Sequence, residues 1–289
     1  MAFIGLGALG APMATNLLQA GLALHVHNRT PAAADPLLQV GALWAASPAK
    51  AAAHAGCLCL CLSEDAAVRA VLLGQDRSDP AAAINGLRPG SLVIDFSTIS
   101  PATSKALAQQ LGERGVAYLD APVTGGTEGA RAGSLSVLVG GESRDLERAR
   151  PILEVVSSRI SHLGPVGAGQ QGKAINQVLV AGSYAAVAEA LALGERLGLP
   201  MPTVLEAVRA GAAGSWALQH RADNMLAGEY PLGFRLALHR KDLAIALQTA
   251  ADVDLDLPIS SLVATLEDSL IEAGHGERDV SALAEWFRG

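Results

Sequence analysis

Strands alternating with helices in the first half of the chain, and helices alone in the second, predict an α/β domain followed by an all-α domain. Two observations carry this fold class. Short apolar runs recur between helical patterns up to residue 140, which is the signature of βαβ units and a parallel-rich, doubly wound sheet. After about His162 strand signals cease, and a helical pattern free of proline runs from Gln170 to Leu197. At 289 residues the chain has room for two ordinary domains. Gly164, Pro165, Gly167 and Gly169 mark the composition shift and divide it into 1–163 and 164–289.

The strands are expected at residues 2–5, 22–28, 57–62, 92–95, 116–120 and 135–140. A first helix is expected at 13–20, closed by Gly21, and another at 101–111, with Ser100 as its N-cap and Pro101 as its first residue. In the second half, helices are expected at 202–211, 216–226, 234–252, 258–274 and 280–287.

Composition narrows the function classes. Half of the residues are hydrophobic and 17% are charged, so a sizeable core is possible and a disordered chain is excluded. Aromatics are 3%, so that core is built from Ala, Leu and Val. A net charge of −7 leaves no basic field for a nucleic-acid backbone. Mean hydropathy is +0.31, which raises the question of a membrane span. The uncharged stretch 1–28 lacks the basic start of a signal peptide and is interrupted by Gly5, Gly7, Gly10, Pro12, Asn16 and Gly21. The stretch 178–193 carries Ser183 and Glu189 and reads as a buried helix. No membrane association is expected.

Cys57, Cys59 and Cys61 alternate along one strand, about 6.5–7 Å apart on one face, too far to converge on a metal. They read as small core side chains. An odd count without other cysteines argues against a disulfide framework and for a reducing, cytoplasmic compartment. The seven histidines form no ligand cluster, and no metal is expected.

Gly5-Leu6-Gly7-Ala8-Leu9-Gly10 follows the first strand and opens the first helix. In that setting the glycines serve a tight turn, close approach of backbone to a pyrophosphate, and helix–strand packing, the fingerprint of a Rossmann-type dinucleotide site. The helix N-terminus then faces the diphosphate. The second strand ends at Asn28-Arg29-Thr30, where an NAD-specific site has an acid for the ribose 2′-hydroxyl. The first acid here is Asp35, while Arg29 and Thr30 offer a guanidinium and a hydroxyl to a 2′-phosphate. NADP is the expected cofactor, with NAD possible.

Four ordered segments carry a family resemblance. They are Gly5-Leu-Gly-Ala-Leu-Gly-Ala-Pro-Met13 with Asn16, Asp95-Phe-Ser-Thr-Ile-Ser-Pro101, Asp120-Ala-Pro-Val-Thr-Gly-Gly126, and Gly167-Ala-Gly-Gln-Gln-Gly-Lys173-Ala-Ile-Asn176. Across essentially the whole chain the sequence resembles the β-hydroxyacid dehydrogenases, a family that includes 3-hydroxyisobutyrate dehydrogenase and tartronate semialdehyde reductase. The resemblance implies a Rossmann-type N-terminal domain, a helical C-terminal domain and an active site in the cleft between them. It implies Lys173 as catalytic acid/base. A lysine desolvated in a closed cleft can have its pKa lowered enough to shuttle a proton, and its charge stabilises a developing alkoxide. Asn176 and Gln177, one turn further on, share the helix face of Lys173 and can orient substrate.

The loop Thr124-Gly125-Gly126 offers backbone N–H groups and a hydroxyl to a carboxylate. Similar enzymes bind the substrate carboxylate there, more often with serine at the position of Thr124. The resemblance also places Leu62 and Ser63 over the adenosine-proximal ribose, Thr98 near the nicotinamide end, and Lys241 near the cofactor with Asp242 holding the lysine or the helix in place. Phe234 belongs to the second cleft wall, and His239 reads as a histidine that packs or supports the site from behind rather than as a catalytic base. The implied reaction interconverts a small carboxylate-bearing 3-hydroxy acid and its semialdehyde, in a homodimer or homotetramer. Gly211-Ala-Ala-Gly-Ser215 looks more like tartronate semialdehyde (2-hydroxy-3-oxopropionate) reductases, and Asn28-Arg29-Thr30 more like glyoxylate and succinic semialdehyde reductases. A different class, a non-catalytic NADP-binding sensor, would lack Lys173 or the Thr124 loop, and both are present.

Overall fold

The computed structural model describes residues 1–74 and 79–288 and divides into two compact units, Met1–Lys173 and Ala174–Gly289. The first unit is built on one sheet. Its described strands are β1 (Ala2–Ile4), β2 (His25–His27), β3 (Leu43–Trp44), β4 (Cys57–Leu60), β5 (Leu92–Asp95), β6 (Ala117–Asp120), β7 (Val123–Thr124), β8 (Leu135–Gly140) and β9 (Ser157–Gly164). They lie in the order β3-β2-β1-β4-β5-β6-β8-β7, with β9 paired to β8. Pairing is parallel from β3 through β6, antiparallel where β8 meets β6 and β7, and parallel again between β8 and β9. The winding reverses between β1 and β4, so their carboxyl ends flank the crevice where such sheets take ligands.

The helices of this unit are α1 (Gly10–Gln19), α2 (Asp35–Gln39), α3 (Pro48–Ala53), α4 (Asp65–Leu73), α5 (Pro101–Gly112), α6 (Gly126–Ala132) and α7 (Ser143–Val156). Strand residues alternate between the two faces. Phe3, Cys59 and Ile94 pack with Met13 and Leu17 of α1 and Leu153 of α7. Ile4, Leu58, Leu60 and Val93 pack with Val68 of α4 and Leu107 of α5 on the other face. Cys57 and Cys61 border the same cluster as Cys59, so the three thiols are core side chains of one face.

The strands expected at 92–95 and 135–140 form over those residues. The one expected at 22–28 shortens to three residues, because Leu22 closes the turn after α1 by donating to the Leu17 carbonyl. Three strands carry no usable sequence signal: β3 and β7 have two residues each, and β9 has only Ile160 and Leu163 as large apolar side chains.

Helix α8 (Ala168–Arg196) starts in the first unit and leads into the second, which continues with α9 (Met201–Arg209), α10 (Trp216–His220), α11 (Ala222–Ala227), α12 (Leu236–Ala251), α13 (Pro258–Glu272) and α14 (Glu285–Arg288). Tyr184, Leu191, Leu205, Met225, Leu243, Val263 and Leu283 form its core.

The single helix expected at 216–226 breaks at Arg221. This residue leaves helical backbone (φ −124°) and sets its guanidinium over the Trp216 ring, 4.7 Å from the centroid, and 3.5 Å from Asp279. The stretch expected as a helix at 280–287 is a 3₁₀ turn, Val280–Ala284, followed by the short α14.

The expectation of a buried helix at 178–193 holds on one side only. Tyr184, Val187, Ala188 and Leu191 are buried, whereas Ile175, Leu179 and Leu193 are exposed. Among the described residues α8 is the one helix long and apolar enough to cross a membrane by length and composition, and 39% of its most apolar window is buried.

Candidate active site

The glycine loop shows a separate reason for each of its glycines. Gly5 has φ +98°, and a Cβ there would stand 2.2 Å from the Cys61 carbonyl oxygen. A Cβ on Gly10 would meet the Gly5 carbonyl oxygen at 1.9 Å, so the start of α1 seats directly on the end of β1. A Cβ on Gly7 would meet nothing within 4 Å, and Gly7 is exposed. Nothing among the described residues requires glycine at that position, so the bare backbone there suits close approach of a diphosphate. The N-cap residue of α1, Leu9, carries no capping side chain. Ser47, Ser100 and Ser215 cap α3, α5 and α10 with their hydroxyls. The Ala11 N–H is taken by the Gly7 carbonyl at 3.0 Å and Pro12 has none, so the N–H groups suited to an external anion are those of the loop from Gly7 to Gly10, and the loop fits a dinucleotide.

Asn28 couples this loop to the end of β2. Its Oδ1 accepts the Leu6 N–H at 2.9 Å, and its Nδ2 donates to the Thr30 carbonyl at 2.9 Å. Arg29 and Thr30 are exposed beside it.

The loops after β4, β5 and β6 meet the start of α8 in one buried network. Ser97 accepts the Leu62 N–H on its Oγ at 2.8 Å and donates its own N–H to Asp95 Oδ1 at 2.9 Å. Tyr118 donates its hydroxyl to Asp95 Oδ2 at 2.9 Å. Asp120 accepts the N–H groups of Gly167 (2.8 Å) and Gln170 (2.9 Å). Gln170 reaches back to the β5 loop, where its Nε2 donates to the Ser97 carbonyl at 2.8 Å and its Oε1 accepts the Ile99 N–H at 3.2 Å. Burial pushes the Asp95 carboxyl up to about 6 against the hydrogen bonds from Ser97 and Tyr118. Burial also raises Asp120, opposed by the N–H groups of Gly167 and Gln170. Sequence reading gives Asp95, Asp120 and Gln170 no role, although two acids closing neighbouring parallel strands are a visible signal.

Gly125 (φ +128°) and Gly126 (φ +64°) occupy backbone regions that L side chains avoid, which leaves the loop after Thr124 bare of side chains. Asn16 of α1 braces the far end of α6 by donating to the Ala130 carbonyl at 2.9 Å. Thr124 itself is half-buried at the end of β7.

Lys173 is only 7% exposed, in the second turn of α8. One turn further, Asn176 donates to Gln177 Oε1 at 2.8 Å, and the buried Gln177 donates to Asp242 Oδ2 at 2.9 Å. Asp242 Oδ1 lies 2.6 Å from Lys241 Nζ. Phe234 is half-buried ahead of α12, its N–H bonded to Asp279 at 2.9 Å. His239 meets the Phe234 ring edge-on and pairs with Glu267 at 2.5 Å, both fully buried.

The first unit thus joins Leu62, the residues flanking Thr98, and the base of α8. The second joins Asn176, Gln177, Lys241 and Asp242. Among the described residues no group of three His, Cys, Asp or Glu could hold a metal ion.

Comparison with known proteins agrees with this chemistry. Residues 1–164 match the family described as the NAD binding domain of 6-phosphogluconate dehydrogenase. Residues 167–287 match the NAD-binding family of NADP-dependent 3-hydroxyisobutyrate dehydrogenase. An NAD-dependent L-serine dehydrogenase of Pseudomonas aeruginosa is 39% identical over 294 residues, covering 99% of this chain and 97% of the relative. A 2-hydroxy-3-oxopropionate reductase of Escherichia coli is 36% identical over 285 residues, covering 99% and 96%. Among solved structures, a Mycobacterium tuberculosis 3-hydroxyisobutyrate dehydrogenase with L-serine superposes with a TM-score of 0.88 at 32% identity, covering 100% of this chain and 98% of that one.

Proposed function

The chain belongs to the β-hydroxyacid dehydrogenase family, NAD(P)-dependent oxidoreductases of hydroxy acids, and on that premise we propose that it interconverts a small 3-hydroxy acid and its semialdehyde with NADP(H). The observation that carries this reading is the burial of Lys173 on the first turns of α8, just beyond the network that ties that helix to the ends of β5 and β6. A lysine removed from solvent in such a place is a candidate proton carrier rather than a solubilising charge.

The dinucleotide, when bound, supplies or takes up the hydride. Lys173 Nζ gives a proton to the carbonyl oxygen in the direction of reduction and takes it back in the direction of oxidation, and its charge stabilises the alkoxide between. The Thr124 hydroxyl and the N–H groups of Gly125 and Gly126 hold the substrate carboxylate. Asn176, braced by Gln177, orients the reacting hydroxyl, and Phe234 supplies an apolar wall. The loop from Gly5 to Gly10 holds the diphosphate. Arg29 and Thr30 hold the 2′-phosphate beside Asn28, while Leu62, Ser63, Thr98 and Lys241 line the rest of the cofactor. Lack of a carboxylate at Asn28-Arg29-Thr30 supports NADP over NAD.

In this reading residues 1–163 form the dinucleotide-binding domain and 164–289 the helical domain. The exposed Ile175, Leu179 and Leu193 of α8 support burial against another copy, in a homodimer or homotetramer. Three unpaired thiols support a reducing, cytoplasmic compartment. A second reading, reduction of 2-hydroxy-3-oxopropionate, draws on the Escherichia coli relative and on Gly211-Ala-Ala-Gly-Ser215.

Lys173→Ala tests the central assignment. It lowers kcat by ~10²-fold or more, the usual worth of a general acid/base, with NADPH affinity nearly unchanged by fluorescence titration. Near-wild-type turnover in a folded Lys173→Ala enzyme removes the lysine from proton transfer.

A further inference from the structure

We infer that Gln170 is a positioning residue for the reaction: its buried side-chain amide fixes the backbone on both sides of Thr98 and holds that loop in register with Lys173. The inference rests on reading Lys173 as the acid/base and Thr98 as a cofactor-lining residue.

The geometry is specific. The Ser97 carbonyl belongs to the peptide plane before Thr98, and the Ile99 N–H belongs to the plane after it. Gln170 donates to the first at 2.8 Å and accepts from the second at 3.2 Å. One amide thereby holds both planes and, with them, the φ and ψ of Thr98. A polar side chain only 1% exposed is costly unless each end is bonded, and here both ends are bonded to this one loop.

Gln170 is itself held from behind. Its N–H and that of Gly167 donate to the two oxygens of Asp120, a buried carboxylate at the N-terminus of a 29-residue helix, where the helix dipole favours it. The fit leaves no slack. A Cβ on Gly169 would stand 2.8 Å from Asp120 Oδ2, and one on Gly140 2.5 Å from Oδ1. Lys173 follows three residues later, about 4.5 Å along the same helix. Leu62 joins through Ser97 Oγ at 2.8 Å. The two loops that line the cofactor in the proposed function therefore move with the helix that carries the proton donor, or not at all. Hydride transfer needs its reacting atoms at near-contact geometry, and a displacement of ~1 Å can cost ~10²-fold in rate.

Gln170→Met, similar in length but without hydrogen bonds, and Gln170→Glu test this. In the dinucleotide-free protein, amide exchange at Ile99 rises ~10-fold or more in Gln170→Met, while β1 and β6 keep their protection. With NADP⁺ and 3-hydroxyisobutyrate, kcat falls ~10-fold or more, KM for the acid changes less than about threefold, and the isotope effect with deuterium at carbon 3 rises. In Gln170→Glu the introduced carboxyl donates to the Ser97 carbonyl only when protonated. Activity relative to wild type therefore recovers as pH falls toward about 5 and is lost toward about 8; far-UV circular dichroism at each pH, unchanged across that range, separates this from ionisation of the buried carboxyl unfolding the chain. This variant carries the test if Gln170→Met does not fold. Faster Ile99 exchange with wild-type kcat and isotope effect overturns the positioning role. So does unchanged exchange, or a Gln170→Glu activity that is flat with pH. Lys173→Ala in parallel separates the two readings: turnover retained there removes the proton carrier, while the Ile99 exchange and the isotope effect still report on Gln170.

Discussion

Asp95 and Asp120 close neighbouring parallel strands, register with each other as partners, and are both fully buried. They are held by N–H groups and, for Asp95, by the Tyr118 hydroxyl. For Asp95 burial outweighs those bonds, and the carboxyl ionises near 6 in the folded protein against 3.8 in its absence. Between those values the folded chain keeps a proton that the unfolded chain has lost, so the contribution of Asp95 to stability is full at low pH and falls as pH rises through about 6. Asp95→Asn removes that dependence. Urea unfolding from pH 4 to 7 should show the wild type losing up to about 3 kcal/mol relative to the variant, with the gap constant above the window. Parallel curves would mean that Asp95 ionises normally.

At the scale of elements, the glycine loop separates what serves the fold from what serves the ligand. Gly10→Ala drives a Cβ into the Gly5 carbonyl and should destabilise the protein by about 1–3 kcal/mol. Gly7→Ala meets open space, so it should melt within a few degrees of wild type yet lose most of its NADPH affinity. Equal melting losses, or unchanged affinity in Gly7→Ala, would contradict this division. The loop, its strand and α1 were legible because local pattern specified them: an apolar run, spaced glycines, then helical periodicity. Ser100 and Pro101 specified the start of α5 in the same way, and the Ser100 hydroxyl does accept the Thr103 N–H. What the sequence hid is long-range. β9 is polar and exists because β8 offers it a ladder. The break between α10 and α11 follows from Arg221 reaching Asp279, far along the chain. The Gln170 bonds to Ser97 and Ile99 span more than seventy residues, and no spacing rule within one helix announces them. Lys173 was legible only through the motif around it, since a lone helix lysine is ordinarily a solvated charge.

For the molecule as a whole, the net charge of −7 makes local cations stand out. Arg29 at the end of β2, Lys173 on α8 and Lys241 on α12 are where the proposed function brings in the 2′-phosphate, the alkoxide and the cofactor. Each works against the overall field at short range, and for the buried Lys173 desolvation strengthens it further. Few aromatics and an Ala-rich core allow close packing of helices on the sheet, and the outer side of α8 exposes Ile175, Leu179 and Leu193 along with Glu189 and Glu195. The central claim, an NADP(H)-dependent 3-hydroxyacid dehydrogenase, is tested most directly by dinucleotide oxidation with small semialdehydes and keto acids, comparing kcat/KM for NADPH and NADH. The proposed function predicts turnover of at least one carboxylate-bearing aldehyde, abolished by Lys173→Ala, with NADPH preferred. A clear NADH preference would overturn the role of Arg29 and Thr30, and no oxidation of either cofactor by any member of the panel would contradict the claim itself.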